Sequence, residues 1–285
     1  MSFQNVNRLF GLYAIAWRQI RRVSYWWPLL LLITVSGVAL TLFGNYTSAF
    51  PYAILTPYLR LMNALVESLG IAPNTLTGFS HYPQLFMLLP TQFEWGRVLI
   101  GVVFEGAVIA LTARAIARGS AAPVSGRFGA TRWIVCAGLW FVTYALLSAV
   151  TYTLPEWFAG WHTGSPRRTL ALEFALFAAN IAILAPLAYA IPLVGLRDYG
   201  PVRAILASLR MFWRHRATTF FLLFLPSLAF TYPLTVAISP SAGLTTRLQP
   251  EIVVWLLAAL IIMNALVTFI YVAGVTQLTR ESRAA

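Results

Sequence analysis

Six long stretches with almost no charged residue constrain this chain more than any other feature of its sequence. They lie at residues 26–43, 98–117, 133–154, 169–196, 218–238 and 252–277. An α-helix rises about 1.5 Å per residue and the hydrocarbon core of a bilayer is about 30 Å thick, so each stretch can cross it as a helix. The pattern predicts an all-α, polytopic membrane protein with six transmembrane helices. Composition agrees, because ordinary soluble domains carry about 25% charged residues and this chain carries 10%.

The positions of the arginines predict how the helices are oriented. All twenty basic residues are Arg, and cytoplasmic flanks of membrane helices accumulate basic residues. Fifteen of the twenty mark one side: four precede the first stretch, four lie near the end of the second or between it and the third, five lie between the fourth and fifth, and two follow the sixth. The other five fall on the opposite side, at Arg60, Arg97, Arg167, Arg168 and Arg247. We therefore expect both termini to be cytoplasmic.

The net charge of +12 points to a lipid surface as the partner of this chain. In a soluble protein such a charge would suggest nucleic acid, but here it is distributed by leaflet instead of gathering on one folded face. We expect the anionic inner leaflet to be the partner, and we expect no nucleic acid. Residues 1–285 are predicted to form a single membrane domain, and the lone Cys136 excludes an intramolecular disulfide.

Two basic segments are predicted to be amphipathic helices that lie on the cytoplasmic membrane surface. In residues 200–216, Pro201 marks a helix start, and apolar residues recur at helical spacing up to Trp213, with arginines on the opposite face. Residues 1–24 repeat this design with an apolar stripe that includes Phe10 and Trp17. Such helices bury their apolar side at the acyl boundary. The candidate lipid or partner surface consists of Arg18, Arg21, Arg22, Arg203, Arg210 and Arg214.

The segment 45–97 is the longest connection between two apolar stretches. It is too apolar for a free linker, and Thr56-Pro57 and Gly70 are typical start and stop signals of a helix. We expect this segment to lie along the outer leaflet as an interfacial excursion.

Glu105 is the most informative polar residue, because it is the eighth residue of the second apolar stretch. A carboxylate in hydrocarbon is costly, so the side chain is expected to face the interior of the bundle. Asn180 and Asn264 reach similar depths and are candidate hydrogen-bond partners, whereas Arg114 can extend toward the cytoplasmic surface. Two interpretations stay open: a polar clamp between helices, or a proton or substrate site.

Prolines interrupt the fourth and fifth stretches, at Pro186, Pro192, Pro226 and Pro233. Each removes a backbone hydrogen bond and can kink its helix. Freed backbone groups at membrane depth are tolerated beside protein or a wet cavity. The prolines therefore indicate either ordinary kinks or a cavity.

The sequence contains no motif of a known catalytic centre. It lacks H-E-x-x-H, G-x-S-x-G and a P-loop, so we expect no catalytic residue, cofactor or metal. If the chain works with ATP, a partner must bind and hydrolyse it. A competing hypothesis is a membrane-embedded, lipid-modifying enzyme that uses Glu156, His162, Arg167 and Arg168.

The run from Arg203-Ala204-Ile205-Leu206 through Trp213-Arg214 to Phe220-Phe221 resembles an element of bacterial six-span proteins. These are the YciC-like proteins and the membrane domain of some glycerophosphodiester phosphodiesterases, and Ala16-Trp17-Arg18 through Trp27-Pro28-Leu29 is similar. The resemblance implies six helices with interfacial helices in the bacterial inner (plasma) membrane, and no catalytic residue. The chain is also similar in layout to permease subunits of ATP-driven exporters, which implies an ATPase docking on residues 201–213.

These observations together predict a non-enzymatic, multi-pass protein of the bacterial inner membrane. We expect it to act in transport or envelope maintenance with a partner, either a cytoplasmic ATPase or other membrane subunits. The alternatives are the exporter permease and the lipid-modifying enzyme.

Overall fold

The computed structural model describes residues 3–44, 53, 56–57, 60–61, 64, 96, 98–120, 124–162, 165–238 and 250–284. Within these residues the chain forms helices and short connections and contains no β-strand, which confirms the all-α class. The predicted excursion at 45–97 lies almost entirely outside the described residues.

Ten α-helices are assigned within the described residues, together with a 3₁₀ turn at Val23–Tyr25 and π-helical turns at Gly101–Glu105 and Ser227–Thr231. The helices are α1 Phe3–Ile20, α2 Trp27–Gly44, α3 Gly106–Gly119, α4 Ala130–Trp157, α5 Ala159–His162, α6 Pro166–Leu187, α7 Ala190–Leu196, α8 Pro201–Pro226, α9 Tyr232–Ile238 and α10 Pro250–Ala284.

Five helical stretches in the described residues are long and apolar enough to cross a membrane. They are Val98–Gly119, Ala130–Trp157, Arg167–Leu196, Pro201–Ile238 and Ile252–Ser282. A shorter apolar helix, Trp27–Phe43, accompanies them at the position of the first predicted span. The chain therefore has the helices of a multi-pass membrane protein.

The surface helix predicted at 200–216 and the span predicted at 218–238 are two helical segments that join at a kink within α8. The backbone bends inside α8 at His215, which has φ −127° and ψ 25°. The Thr219 hydroxyl donates to the carbonyl oxygen of His215 at 3.0 Å. Such a side-chain bond to the preceding turn is a known cause of helix bending, so the kink does not require a break.

Helix α1 packs on the bundle with part of its apolar stripe. We expected the whole stripe to lie in lipid. Leu9, Leu12 and Ala16 are buried, whereas Phe10 keeps 67% of its surface exposed. The Tyr13 hydroxyl donates to the carbonyl oxygen of Phe221 at 2.7 Å, and burial raises the pKa of this phenol. The helix thus has two apolar faces, one for the bundle and one for the exterior.

Small residues let α3 approach its neighbours closely. A methyl group at Gly106 would lie 2.5 Å from the carbonyl oxygen of Cys136 on α4. One at Gly195 on α7 would lie 2.6 Å from the carbonyl oxygen of Ala110. Because Glu105 directly precedes Gly106, this packing fixes its position between α4 and the rest of the bundle.

Arg114 is buried, with only 3% of its surface exposed, and its side chain reaches the connection between α3 and α4. Its guanidinium donates to the carbonyl oxygens of Gly195 at 2.7 Å, Gly126 at 2.6 Å and Ser125 at 3.2 Å. Gly195 lies on α7, and Ser125 and Gly126 lie in the connection before α4; together these carbonyls satisfy the buried charge, which bare hydrocarbon could not do.

Contacts gather the arginine-bearing segments at one end of the bundle. Arg132 bonds to the Asp198 carboxylate through Nε at 3.1 Å and through a terminal nitrogen at 3.0 Å. Tyr25 packs against Gly119, and Arg8 bonds to Glu281. We call this end of the bundle the arginine-rich end, and the other end the opposite end.

Candidate functional site

Three helices of the bundle are interrupted, and prolines lie at two of the interruptions. Pro192 has no N–H for the carbonyl of Ala188, and the chain breaks between α6 and α7 at Ala188–Tyr189. Pro226 and Pro233 flank the π turn Ser227–Thr231. At the first π turn, the Val103 carbonyl that the wider turn frees accepts a bond from the Trp133 indole N–H. π turns inside α-helices occur frequently at functional sites.

The break between α6 and α7 is stabilised by a serine on α8. The Ser208 hydroxyl donates to the carbonyl oxygen of Pro186 at 2.6 Å and accepts from the N–H of Tyr189 at 3.1 Å. The Tyr189 hydroxyl lies 2.6 Å from the hydroxyl of Thr219, which bonds back to the kink at His215. Buried polar groups thereby couple the break to the kink in α8.

A central cavity of about 240 Å³ borders all three interruptions. Glu105 from the first π turn, Ala188 from the break and Ser227 from the second π turn all line it. Helices α4 and α10 also contribute to its lining. Its polar lining includes Glu105, Thr143, Ser227, Asn264, Thr268 and Tyr271.

Glu105 and Asn264 line the same two spaces. Besides the central cavity, both border a smaller cavity of about 40 Å³ on the α2 side, where Ser36 also lies. Thr268, one helical turn after Asn264 on α10, lines both cavities as well. These three side chains therefore separate the small cavity from the central one.

Asn180, the other predicted partner of Glu105, lies in a different place. Its amide N–H donates to the Thr151 hydroxyl at 3.1 Å, and the residue lines a separate groove of about 360 Å³. On α6 the residues that border the central cavity are Leu184 and Leu187, and the nearer of them is one helical turn or about 5.4 Å further along. Asn180 therefore lines the separate groove, and Glu105 lines the central cavity.

The groove that contains Asn180 follows the same helices as the central cavity, toward the opposite end. On α4 it begins at Thr151, one turn from Leu147 of the central cavity, and beyond Ser227 it begins at Thr231. We call this space the polar groove. One helical turn of side chains divides it from the central cavity.

All six arginines of the predicted lipid or partner surface are exposed. On the part of α8 that precedes the kink, the exposed large apolar side chains are Val202, Leu206 and Trp213. Arg203 and Arg214 directly follow Val202 and Trp213, so they flank the stripe at about 100° instead of lying opposite it. The face that was expected to carry them packs on the bundle.

The same arrangement recurs on α1, where Phe10 and Trp17 are exposed seven residues apart, like Leu206 and Trp213. Arg18 follows Trp17 as Arg214 follows Trp213. Both helices thus present an exposed apolar stripe beside exposed arginines.

Several polar residues of the site were not predicted from the sequence. Ser208 and Thr219 hold the interruptions, and Thr143, Ser227 and Thr268 line the central cavity. Single hydroxyl residues in apolar helices commonly bond to their own helix, so nothing in the sequence separates these from the others. These residues share only their location on helix faces that turn toward the interior, and which faces those are depends on how the helices pack.

The residues of the competing enzyme hypothesis do not form a described site. Glu156 is exposed at the end of α4, and Arg168 donates to the carbonyl oxygen of Trp161 at 3.3 Å. The His162 side chain lies outside the described residues. Among the described residues, no group of three or more His, Cys, Asp or Glu side chains could hold a metal ion.

Comparison of the chain with protein-family models, with curated proteins and with solved structures finds no match in any of the three.

Proposed function

We propose that this chain is a non-enzymatic, multi-pass protein of the bacterial inner membrane that passes a small cationic solute or a proton through the central cavity. The observation that supports this proposal is the meeting of three interrupted helices and one carboxylate, Glu105, at a single cavity. Interrupted helices with polar residues between them are a common way to build a solute site inside a membrane. The proposal includes six spans, with both termini in the cytoplasm.

The size of the cavity favours a solute site over a dry clamp. A volume of about 240 Å³ equals about eight waters at about 30 Å³ each. A dry clamp between helices would leave no such space beside its carboxylate. A hydrated carboxylate can bind a cation or exchange a proton, and both are functions of intramembrane acidic residues.

The hydroxyl groups of the cavity also favour a positively charged solute. Thr143 donates its proton to the carbonyl oxygen of Leu139 at 2.8 Å, so it offers lone pairs to the cavity. Together with Glu105 and the amide of Asn264, it forms a lining rich in hydrogen-bond acceptors. Such a lining suits a donor cation.

The two surface helices are proposed to hold the protein on anionic lipid of the inner leaflet. Exposed Trp17 and Trp213 suit the acyl boundary, and the neighbouring arginines suit lipid phosphates.

The exposed face of residues 201–213 also supports a second candidate, the permease of an ATP-driven exporter, in which this face docks an ATPase. Purification in mild detergent distinguishes them, because an ATPase that is lost on Trp213→Ala substitution would select the permease.

Charge-selective labelling tests whether the central cavity admits cations. In a Cys136→Ala background, Ser227→Cys places a thiol in the cavity, and Leu225→Cys places one on the exposed side of the same helix. A cationic methanethiosulfonate is expected to modify the Ser227→Cys thiol about tenfold faster than an anionic one, a preference of about 1.4 kcal/mol. Glu105→Gln should abolish the preference, and Glu156→Gln should preserve it.

The proposal fails if the thiol introduced at Ser227 reacts no faster than the thiol introduced at Leu225. It also fails if the charge preference survives Glu105→Gln, since the carboxylate would then not determine what enters the cavity.

A further inference from the structure

The polar groove between α4, α6 and α9 is a second space with a distinctive lining. Half of its residues are apolar, including Leu172, Leu176 and Val236. The other half are polar and come from all three helices. The polar residues that matter for its chemistry are Thr151, Thr169, Glu173, Asn180, Thr231 and Thr235.

The threonines of the groove offer hydrogen-bond acceptors. Thr169 donates its proton to the Ser165 carbonyl at 3.2 Å, and Thr231 donates to the Ser227 carbonyl at 2.9 Å. Thr235 donates to the Thr231 carbonyl at 3.0 Å. A hydroxyl that has given its proton to its own helix keeps only lone pairs for a ligand.

Asn180 adds an acceptor to the same set. Its amide N–H group is bonded to Thr151, while its Oδ1 atom is buried without a hydrogen-bond partner among the described residues. A buried acceptor without a partner costs about 1–3 kcal/mol, so a ligand that donates to it recovers this cost. The groove therefore favours a ligand that is rich in donors.

Charge and aromatic rings favour the same kind of ligand. Glu173 is the one charged side chain that lines the groove among the described residues. Phe177 and Tyr232 line the groove with ring centroids 4.8 Å apart, and ring faces attract cations.

We propose that the polar groove binds the primary ammonium headgroup of a membrane amphiphile. The ammonium donates its protons to the Glu173 carboxylate and to acceptor oxygens of the groove beside it, and the hydrocarbon chain lies on Leu172, Leu176 and Val236. This site goes beyond the proposed function and does not depend on passage of a solute through the central cavity.

A neighbouring groove gives a natural comparison. It has a volume of about 310 Å³, and Leu154, Phe158, Trp161, Ala171, Leu172 and Ala175 line it. Among the described residues this lining has no carboxylate or side-chain amide, so this apolar groove is expected to accept hydrocarbon chains without regard to the headgroup. Only the polar groove is expected to distinguish an amine from an alcohol.

Photolabelling with dodecylamine and dodecanol that carry the same diazirine group tests the proposal. The purified full chain in phosphatidylcholine nanodiscs is irradiated with each probe, and labelled peptides are mapped by mass spectrometry. We expect the amine to label groove residues of α6 and α9, and Glu173→Gln to reduce that labelling about tenfold. The matched control is Glu156→Gln, which removes a carboxylate from an exposed position at the same end of α4.

Three results would overturn the proposal. These are equal labelling of the groove by amine and alcohol, equal loss in the Glu173→Gln and Glu156→Gln variants, or competition by soluble ethanolamine as strong as by unlabelled dodecylamine. The last result would show that the headgroup binds without its chain. Unchanged thermal unfolding of each variant shows that a loss of labelling reflects the site and not the fold.

Discussion

At the scale of single residues, the fold depends on polar side chains that satisfy interrupted backbone. Ser208 is the clearest case, because its hydroxyl serves both the Pro186 carbonyl and the Tyr189 N–H across a helix break. The sequence pattern of the predicted surface helix at 200–216 did not distinguish Ser208 from a serine exposed to solvent. Its role depends on which helix lies opposite, and sequence periodicity does not contain that information.

Ser208→Ala is expected to lower the free energy of unfolding by about 1–3 kcal/mol, because two buried backbone groups lose their partner. Unfolding in detergent, followed by circular dichroism, measures the change. The control is Thr153→Ala, since Thr153 is exposed and donates only to the carbonyl of Ala149 in its own helix. Equal stability of the two variants would contradict the role of Ser208.

Arg114 is the second residue whose role the structure defines. Its planar guanidinium serves three backbone carbonyls, and an ammonium group cannot reproduce that geometry. We expect Arg114→Lys to lower stability by about 2 kcal/mol. Arg118→Lys, on the exposed side of the same helix, should change the same unfolding measurement very little. A similar loss in both variants would show that charge, and not geometry, matters at Arg114.

At the scale of elements, α1 shows what periodicity can and cannot predict. Its helix was predicted correctly, but it has two apolar faces and the sequence does not tell which one meets protein. The structure buries Leu9, Leu12 and Ala16 and leaves Phe10 and Trp17 exposed. The choice between the faces depends on the shapes of α8 and α10, against which the helix packs.

Leu12→Ala and Phe10→Ala should therefore affect different properties, the first the stability of the fold and the second the attachment to lipid. Leu12→Ala removes buried volume and is expected to lower stability by about 2–5 kcal/mol. Phe10→Ala should leave stability nearly unchanged and weaken attachment to lipid. Limited proteolysis in detergent and lipid retention during purification measure these two effects. Greater destabilisation by Phe10→Ala would reverse the assignment of the two faces.

The ion pair between Arg8 and Glu281 contributes less to the attachment of α1 than the buried stripe does. Both side chains keep more than a third of their surface exposed. Pairs of this kind contribute about 0–1 kcal/mol. The hydrophobic face, and not this pair, accounts for most of the attachment.

The helix interruptions mark the limit of prediction for the candidate site. Prolines indicated interruptions in the fourth and fifth stretches, and the break at Ala188–Tyr189 and the π turn Ser227–Thr231 lie there. The sequence did not indicate the π turn at Gly101–Glu105. Position along the predicted spans also could not distinguish Asn264 from Asn180. Asn264 lines the central cavity, whereas Asn180 lies one turn away in the polar groove.

At the scale of the whole molecule, the apolar stretches and the arginines predicted the helical class and one arginine-rich end. Length and charge determine these features locally, so they can be read without knowing the packing. The cavities required the tertiary structure, because each combines side chains from several helices.

The candidate lipid or partner surface is expected to bind anionic lipid to the whole protein. A double Arg210→Gln, Arg214→Gln variant is expected to retain phosphatidylglycerol about thirtyfold less well, since each arginine contributes about 1 kcal/mol. Native mass spectrometry of the purified protein measures lipid retention. The matched control is Arg167→Gln with Arg168→Gln at the opposite end. Equal losses in the two double variants would show a general charge effect without a defined surface.

In the function proposed above, Glu105 faces a hydrated cavity inside the bundle. The most direct test is the reaction of the unaltered protein in membranes with a water-soluble carbodiimide and a glycine ester, with modified carboxylates mapped by mass spectrometry. We predict that Glu105 is modified within about tenfold of the rate of exposed Glu156, a difference of at most about 1.4 kcal/mol. Modification of Glu105 only by the lipid-soluble dicyclohexylcarbodiimide would contradict the account and support a dry clamp between helices.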